Sequence, residues 1–175
     1  MKNFAVFISG YGRGGMEIIK DFKHGLIKPN LKLLLSSKPD SPCIDFAREN
    51  NIDCVAVERE TYLTKQAFER QILHLLKEHK IDYVYLAGWM HILGKTILDE
   101  YKNRVVNVHP SLLPSFKGLN GIQQAMDYGV KITGATTHFV DETIDEGKII
   151  AQKSIEIYPD DTFDTIDNRM FKITT

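Results

Sequence analysis

The sequence is short of the features that mark several classes of protein. Its 175 residues include only two cysteines, too few for the disulfide framework of a small secreted domain. Lys and Arg number 22 against 23 Asp and Glu, and the resulting net charge of −1 lacks the positive surplus typical of nucleic-acid-binding chains. The apolar N-terminal run stops at Ser9, too early for a secretory signal or a membrane span. We therefore expect a cytoplasmic protein without a nucleic-acid or membrane partner.

The composition is that of a single globular domain. Hydrophobic residues make up 43% of the chain and charged residues 26%, which is close to the average for folded proteins. This length supplies one hydrophobic core but hardly two, and no Ser- or Pro-rich linker divides the chain. We predict one domain over residues 1–175, with a C-terminal helix that is short or truncated.

Short apolar runs alternate with amphipathic stretches along the whole chain. The runs predict strands at 4–8, 31–35, 55–57, 81–87, 105–108, 133–140 and 148–157. The stretches predict helices at 14–23, 42–50, 64–79, 96–101, 122–128 and 162–171. Strands that are apolar throughout favour an α/β fold, with a mostly parallel twisted sheet covered by helices on both faces.

Ligands of such sheets bind beyond the carboxyl ends of the strands. The loops that follow Ile8, Ala87 and Val108 are therefore the candidate ligand-binding loops. We expect the first, fourth and fifth strands to lie next to one another, so that these three loops rim one cleft.

A glycine-rich loop follows the first strand. Residues 10–15 read Gly-Tyr-Gly-Arg-Gly-Gly and satisfy the pattern G-x-G-x-x-G, in which backbone amides at a helix N-terminus can hold a phosphate. A dinucleotide also requires an acidic residue at the end of the second strand, where residues 35–38 read Leu-Ser-Ser-Lys. A single phosphate at Gly12, Arg13 and Gly14 is therefore favoured over a nicotinamide or flavin cofactor. A purely structural tight turn is the alternative.

The densest polar cluster of the sequence contains Asn107 and His109. In an extended segment these two side chains project to the same side. An amide donor beside an imidazole can stabilise an oxyanion and transfer a proton. The acidic turn 141–146 could supply a carboxylate that orients the His109 ring. A capping or purely hydrogen-bonding role is the alternative interpretation.

A metal site is a further possibility for the residues around His109. His109, His138 and Asp145 are ligand types for a transition metal, but none of the usual His or Cys spacings accompanies them. The pattern therefore favours chemistry without a metal.

Two motifs of this region resemble those of the folate-dependent formyltransferases. They read Asn-Val-His-Pro-Ser-Leu-Leu-Pro-Ser-Phe-Lys-Gly at 107–118 and Gly-Ala-Thr-Thr-His-Phe-Val-Asp-Glu-Thr-Ile-Asp-Glu-Gly at 134–147. The resemblance runs from the first strand to about residue 170. It implies a Rossmann-like formyltransferase fold whose ligands are 10-formyltetrahydrofolate, as co-substrate, and a primary amine.

Within that family, the motifs are most similar to those of members that formylate glycinamide ribonucleotide in de novo purine synthesis. A hydrolase of formyl-folate and a sugar-nucleotide N-formyltransferase would have the same donor site and are alternatives. A third alternative is a family member without catalytic activity. The resemblance further implies small-molecule substrates and either a monomer or a homodimer.

The resemblance also assigns roles to individual residues. Asn107, His109 and Asp145 match the catalytic trio, in which the first two would stabilise the oxyanion and Asp145 would hold His109. The substrate phosphate would bind at the glycine loop. The formyl donor would contact six residues, namely Met90, His91, Ile92, Leu93, Val140 and Asp141.

Several positions depart from the family pattern, among them Leu119, where the family usually has a histidine or another polar residue. The first loop has Arg13-Gly14 where the family usually has a polar pair, and His91 stands where an arginine is common. Thr174 corresponds to a glutamate that holds the substrate ribose. The donor half of the expected site therefore matches the family more closely than the amine half does.

Overall fold

Strands and helices alternate along residues 1–174, which are the residues that the computed structural model describes. The strands are β1 (Asn3–Ile8), β2 (Asn30–Ser36), β3 (Asp53–Ala56), β4 (Tyr83–Leu86), β5 (Val105–His109), β6 (Ile132–Phe139) and β7 (Ile149–Glu156). The helices are α1 (Arg13–Lys23), α2 (Pro42–Glu49), α3 (Lys65–Glu78), α4 (Lys95–Leu98), α5 (Gly121–Tyr128) and α6 (Phe163–Thr174). Each agrees with a segment expected from the sequence, with ends displaced by a few residues. A short 3-10 turn at Arg59–Thr61 was not expected.

The strands form one sheet in the order β3-β2-β1-β4-β5-β6-β7. β1 pairs in parallel with β2 and β4, and β2 pairs in parallel with β3. Only the pairing of β6 with β7 is antiparallel among the pairings described within residues 1–174. The predicted fold class and the adjacency of β1, β4 and β5 are therefore confirmed. That the three loops rim one cleft stays a prediction.

The chain divides into two compact units, the first covering Met1–Val106 and the second beginning at Asn107. A single domain over residues 1–175 therefore stays a prediction. None of the helices within residues 1–174 combines the length and the apolar character that crossing a bilayer requires.

In the first unit, β1 directs alternate side chains into two layers. Val6 and Ile8 are buried in a cluster with apolar residues of α1 and α2. Phe7 lies on the opposite face, where its ring centroid is 5.1 Å from that of Trp89. Trp89 in turn stacks on Phe68 of α3, at 6.3 Å between centroids. Helices thus cover both faces of this part of the sheet, which explains why the strand is apolar throughout.

The residues that open α2 and α3 satisfy these helix ends differently. Thr64 accepts a hydrogen bond from the N–H of Ala67 at 3.1 Å, as a helix N-cap does. Ser41 occupies the N-cap position that the sequence predicts for α2, but its side chain makes no cap hydrogen bond. Its hydroxyl instead donates to the carbonyl of Tyr11 in the glycine loop, at 3.4 Å. Ser41 therefore links α2 to that loop.

In the second unit, α5 and α6 pack on one face of β6 and β7. The buried members of this cluster are Ile122, Ala135, Ile166 and Met170. Val108 of β5 is partly buried against the same cluster. Because neighbouring side chains of a strand alternate, Asn107 and His109 lie on the opposite face of β5.

Gly12, immediately before α1, lies so close to α2 that a larger residue would not fit there. Its φ is 79°, and a Cβ there would lie 2.5 Å from Cβ of Cys43 and 2.7 Å from Cδ1 of Ile8. Gly25 has a similar φ of 74° but open space around it. We predict that Gly12→Ala lowers the free energy of unfolding by about 2–5 kcal/mol in urea titrations, whereas Gly25→Ala lowers it by about 1–2 kcal/mol. Equal losses in the two variants would contradict this packing.

Candidate active site

The three residues predicted to be catalytic lie close together in the second unit. Asn107 and His109 belong to the end of β5, and Asp145 lies in the turn between β6 and β7. The His109 Nδ1 atom is 3.2 Å from Oδ2 of Asp145. A fourth residue, His138 of β6, connects Asn107 to this pair. Its Nε2 atom lies 3.2 Å from Nδ2 of Asn107 and 3.5 Å from Oδ1 of Asp145.

The contacts of His109 determine where its ring carries hydrogen. Nε2 lies 2.7 Å from the carbonyl oxygen of Phe116, which can only accept a hydrogen bond, so this nitrogen is the donor. Nδ1 faces the carboxylate of Asp145, which is also an acceptor when ionised. An imidazolium, with hydrogen on both nitrogens, satisfies both contacts at once. The surroundings of His109 therefore suit a residue that donates hydrogen bonds.

His138 is oriented differently, because its Nδ1 atom donates to the carbonyl of Phe139 at 2.9 Å. In the neutral ring this leaves Nε2 as an acceptor for one amide hydrogen of Asn107. The second amide hydrogen of Asn107 remains for another acceptor. Sequence reasoning considered His138 only as a metal ligand and missed this contact. His138 lies on β6, which neighbours β5 in the sheet, and no local sequence pattern indicates that neighbour.

The turn that carries Asp145 is held in place by backbone as much as by side chains. Asp145 has a left-handed φ of 54°, and its Oδ2 accepts the N–H of Gly118 at 2.8 Å. Nζ of Lys117 and Oε1 of Glu146 form an ion pair at 2.8 Å between the same two loops. At Gly147 a Cβ would overlap the carbonyl oxygen of Phe139. Only glycine permits this approach, which brings the turn back against the end of β6.

A buried hydroxyl fixes the loop that follows His109. Oγ1 of Thr136 donates to the carbonyl of Ser111 at 2.7 Å and accepts the N–H of Leu113 at 3.0 Å. It also accepts from Nε2 of Gln152 at 3.0 Å. Thr136 and Ser111 are fully buried. Local sequence patterns do not indicate this network, because its partners are separated along the chain.

Among residues 1–174, no group of three or more His, Cys, Asp or Glu side chains is arranged to hold a metal ion. The three possible ligands weighed above instead lie together around Asp145, with Nδ1 of His109 at 3.2 Å and Nε2 of His138 at 3.5 Å from its carboxylate oxygens. Such a set can polarise a carbonyl and exchange a proton without a metal.

The predicted donor-binding residues are divided between the two units. Of residues 90–93, Met90 and Ile92 are exposed at 65% and 61%, His91 is half-buried and Leu93 is buried. The His91 ring lies 5.1 Å from Trp89 between centroids. Burial lowers the pKa of His91, and this outweighs the opposite effect of Glu60.

In the second unit, Val140 is half-buried and Asp141 is exposed. Oδ1 of Asp141 accepts hydrogen bonds from the backbone N–H of Thr143 at 2.9 Å and from its hydroxyl at 2.6 Å. This carboxylate therefore stabilises its own turn.

The glycine loop places backbone amides at the start of α1. Gly12 immediately precedes the helix, with Arg13 exposed and Gly14 half-buried in its first turn. The unpaired amides of a helix N-terminus attract anions. Nearby, Sγ of Cys43 lies 3.0 Å from the position that a Cβ on Gly15 would take, and burial raises the pKa of this thiol to about 12. Cys43 thus packs against the glycine loop as a buried thiol.

Comparison with known proteins shows the family of this chain. The model of the family described as formyl transferase matches residues 2–174. The chain belongs to this family. It is 42% identical over 173 residues to the phosphoribosylglycinamide formyltransferase of Bacillus subtilis, covering 99% of this chain and 89% of that one. The resemblance expected from the two motifs is therefore confirmed.

Solved structures of the formyl transferase family agree with the fold. The crystal structure of phosphoribosylglycinamide formyltransferase from Bacillus halodurans superposes with a TM-score of 0.94 at 40% identity, over 98% of this chain and 89% of that chain. A formyltetrahydrofolate deformylase from Pseudomonas syringae superposes with a TM-score of 0.91 at 26% identity. That match covers 98% of this chain but only 57% of the deformylase.

Proposed function

We propose that this protein transfers the formyl group of 10-formyltetrahydrofolate to the amine of glycinamide ribonucleotide, a step of de novo purine synthesis. The observation that carries the proposal is the connected set of Asn107, His138, Asp145 and His109, with distances of 3.2 to 3.5 Å between neighbours. Membership of the formyl transferase family supports the chemistry. The name of the Bacillus subtilis relative supports the choice of amine.

In the proposed reaction, the amine nitrogen attacks the formyl carbon and the carbonyl oxygen becomes negatively charged. The second amide hydrogen of Asn107 and a hydrogen on His109 stabilise that oxyanion. The bond from the formyl carbon to N10 of the folate then breaks, and N10 takes up the proton that the amine loses. Asp145 orients His109 and assists this proton transfer. To reach the oxyanion, His109 exchanges its contact with the carbonyl of Phe116 for one with the substrate.

We assign the phosphate of the amine substrate to Gly12, Arg13 and Gly14. The amides at the start of α1 and the positive charge of Arg13 favour an anion there. We assign the formyl donor to residues 90–93 together with Val140 and Asp141. Exposed apolar side chains in residues 90–93 suit the flat rings of a folate.

The proposal also places the reaction in the cytoplasm, on small-molecule substrates and without a nucleic-acid or membrane partner. The enzyme would act as a monomer or a homodimer, which sedimentation analysis distinguishes. A sedimentation coefficient that changes on addition of nucleic acid or lipid vesicles would contradict this part of the proposal.

We predict that release of tetrahydrofolate from 10-formyltetrahydrofolate depends on glycinamide ribonucleotide. The measurement follows the folate product by absorbance with and without that amine, and with an amino-sugar nucleotide in its place. Release at one rate in all three reactions would identify a hydrolase. Release only with the sugar nucleotide would identify a different acceptor, and release in none would identify an inactive relative.

Three alanine variants separate chemistry from substrate binding. We expect Asn107→Ala and His109→Ala each to lower kcat by at least about a hundredfold, because each removes an oxyanion donor, with the Kd of the formyl donor little changed. Arg13→Ala should raise KM for the amine more than it changes kcat, since it removes ground-state binding. Steady-state kinetics and donor titrations measure these constants. Near-normal turnover by His109→Ala would overturn the mechanism.

A further inference from the structure

The segment of residues 90–93, here called the donor segment, is held at both ends by side chains of other elements. At its start, the N–H of Met90 donates to Oγ of Ser9 at 3.1 Å, and Ser9 also accepts from the hydroxyl of Ser37 at 2.8 Å. Just beyond its end, the N–H of Gly94 donates to Oε1 of Glu69 at 2.6 Å. Both anchors are polar and both act on the backbone of the segment.

Glu69 is an unusual residue to find inside the protein. It lies on α3 with only 3% of its surface exposed, although its neighbours on that helix face are the apolar residues Phe68, Ile72 and Leu76. Burying a carboxylate is costly unless a partner compensates it. The Nζ atom of Lys65, one turn earlier, lies 3.7 Å from Oε1 and is half exposed. This long ion pair compensates the carboxylate only in part, so the short hydrogen bond from Gly94 matters more.

The backbone at Gly94 is shaped to receive this carboxylate. A Cβ at Gly94 would lie 2.9 Å from Oε1 and 3.0 Å from Oε2 of Glu69. Both oxygens therefore pack directly against the glycine, in addition to the hydrogen bond. Gly94 also precedes α4, so the contact fixes the point where the donor segment passes into that helix.

We propose that Glu69 is a positioning residue for the formyl donor, an inference that rests on the proposed function. Its carboxylate holds the N–H of Gly94 and thereby sets the path of the donor segment. Because Leu93 is buried and anchors the segment, the exposed side chains of Met90 and Ile92 are held in one conformation. Glu69 touches no substrate itself. A preorganised segment loses less conformational entropy when the ligand binds.

The test compares Glu69→Gln with Glu69→Leu. Gln keeps an oxygen that can accept the Gly94 N–H, whereas Leu fills a similar volume and leaves that N–H unpaired. Glu69→Leu should raise KM for the formyl donor by about tenfold or more, with KM for the amine and kcat changed by less than about threefold. Glu69→Gln should restore most of the donor KM. A donor KM that is the same in both variants and the unchanged protein would overturn the proposal.

Gly94→Ala perturbs the same contact from the other side. Its φ of −106° is accessible to alanine, so the added methyl acts through the Glu69 oxygens and not through backbone strain. This variant should also raise the donor KM, and combining it with Glu69→Leu should add little more. Glu78→Gln, an exposed change on the same helix, is the matched control and should leave every constant unchanged. Fully additive losses would overturn the proposal.

Hydrogen exchange of the Gly94 amide, followed by NMR, provides a reading that does not require turnover. Exchange should accelerate in Glu69→Leu and stay slow in Glu69→Gln, with global unfolding monitored by circular dichroism. If the unchanged protein releases no tetrahydrofolate, the proposed function fails, and the donor role of Glu69 fails with it. Normal turnover with a donor KM insensitive to Glu69→Leu would overturn only the inference about Glu69.

Discussion

The carboxylate of Asp145 is the point at which two loops and two strands of the second unit meet. One oxygen lies 3.2 Å from His109 of β5 and accepts the N–H of Gly118 at 2.8 Å. The other lies 3.5 Å from His138 of β6. His138 in turn contacts Asn107, so the side chains of the proposed catalytic set gather around this carboxylate, with 3.2 to 3.5 Å between neighbours. The geometry of the site therefore depends on the turn that carries Asp145.

Burial strengthens the polar contacts of His109 and His138, and it also makes a partner for each buried polar atom necessary. His109 and His138 are 4% and 1% exposed, so water screens their charges and dipoles little. A buried imidazole N–H without a partner would be costly, and the carboxylate of Asp145 provides that partner for Nδ1 of His109 at 3.2 Å. The two proposed oxyanion donors are held by neighbours before any substrate binds, and preorganisation of this kind is the largest contribution in many acyl-transfer enzymes. The same principle underlies the role proposed for Glu69.

Much of this arrangement follows from local sequence, but its closest contacts do not. The apolar runs and amphipathic stretches predicted the strands and helices, and alternation along 105–109 predicted that Asn107 and His109 share a face. The family motifs indicated Asp145 as their partner. His138 and Thr136 were missed, because their roles arise from the pairing of strands distant in sequence.

Two further features lie outside what one-dimensional patterns can indicate. The buried carboxylate of Glu69 occupies a helical position that the apolar periodicity assigns to the core, and only the path of residues 90–94 explains it. Ser41 stands where an N-cap is expected, yet its hydroxyl bonds to Tyr11 in another loop. In both cases a tertiary contact overrides the local preference.

In the proposed mechanism Asp145 acts through His109, and a double-mutant cycle on formyl transfer separates this from an independent role of Asp145. Asp145→Asn keeps an oxygen for the N–H of Gly118, so the turn is preserved while the charge beside His109 is lost. If Asp145 acts through His109, kcat of the doubly changed protein, His109→Ala with Asp145→Asn, falls by much less than the product of the two single losses. The pH profile of kcat should also change in Asp145→Asn. Losses that multiply in full would contradict this mechanism, because Asp145 would then act independently of His109.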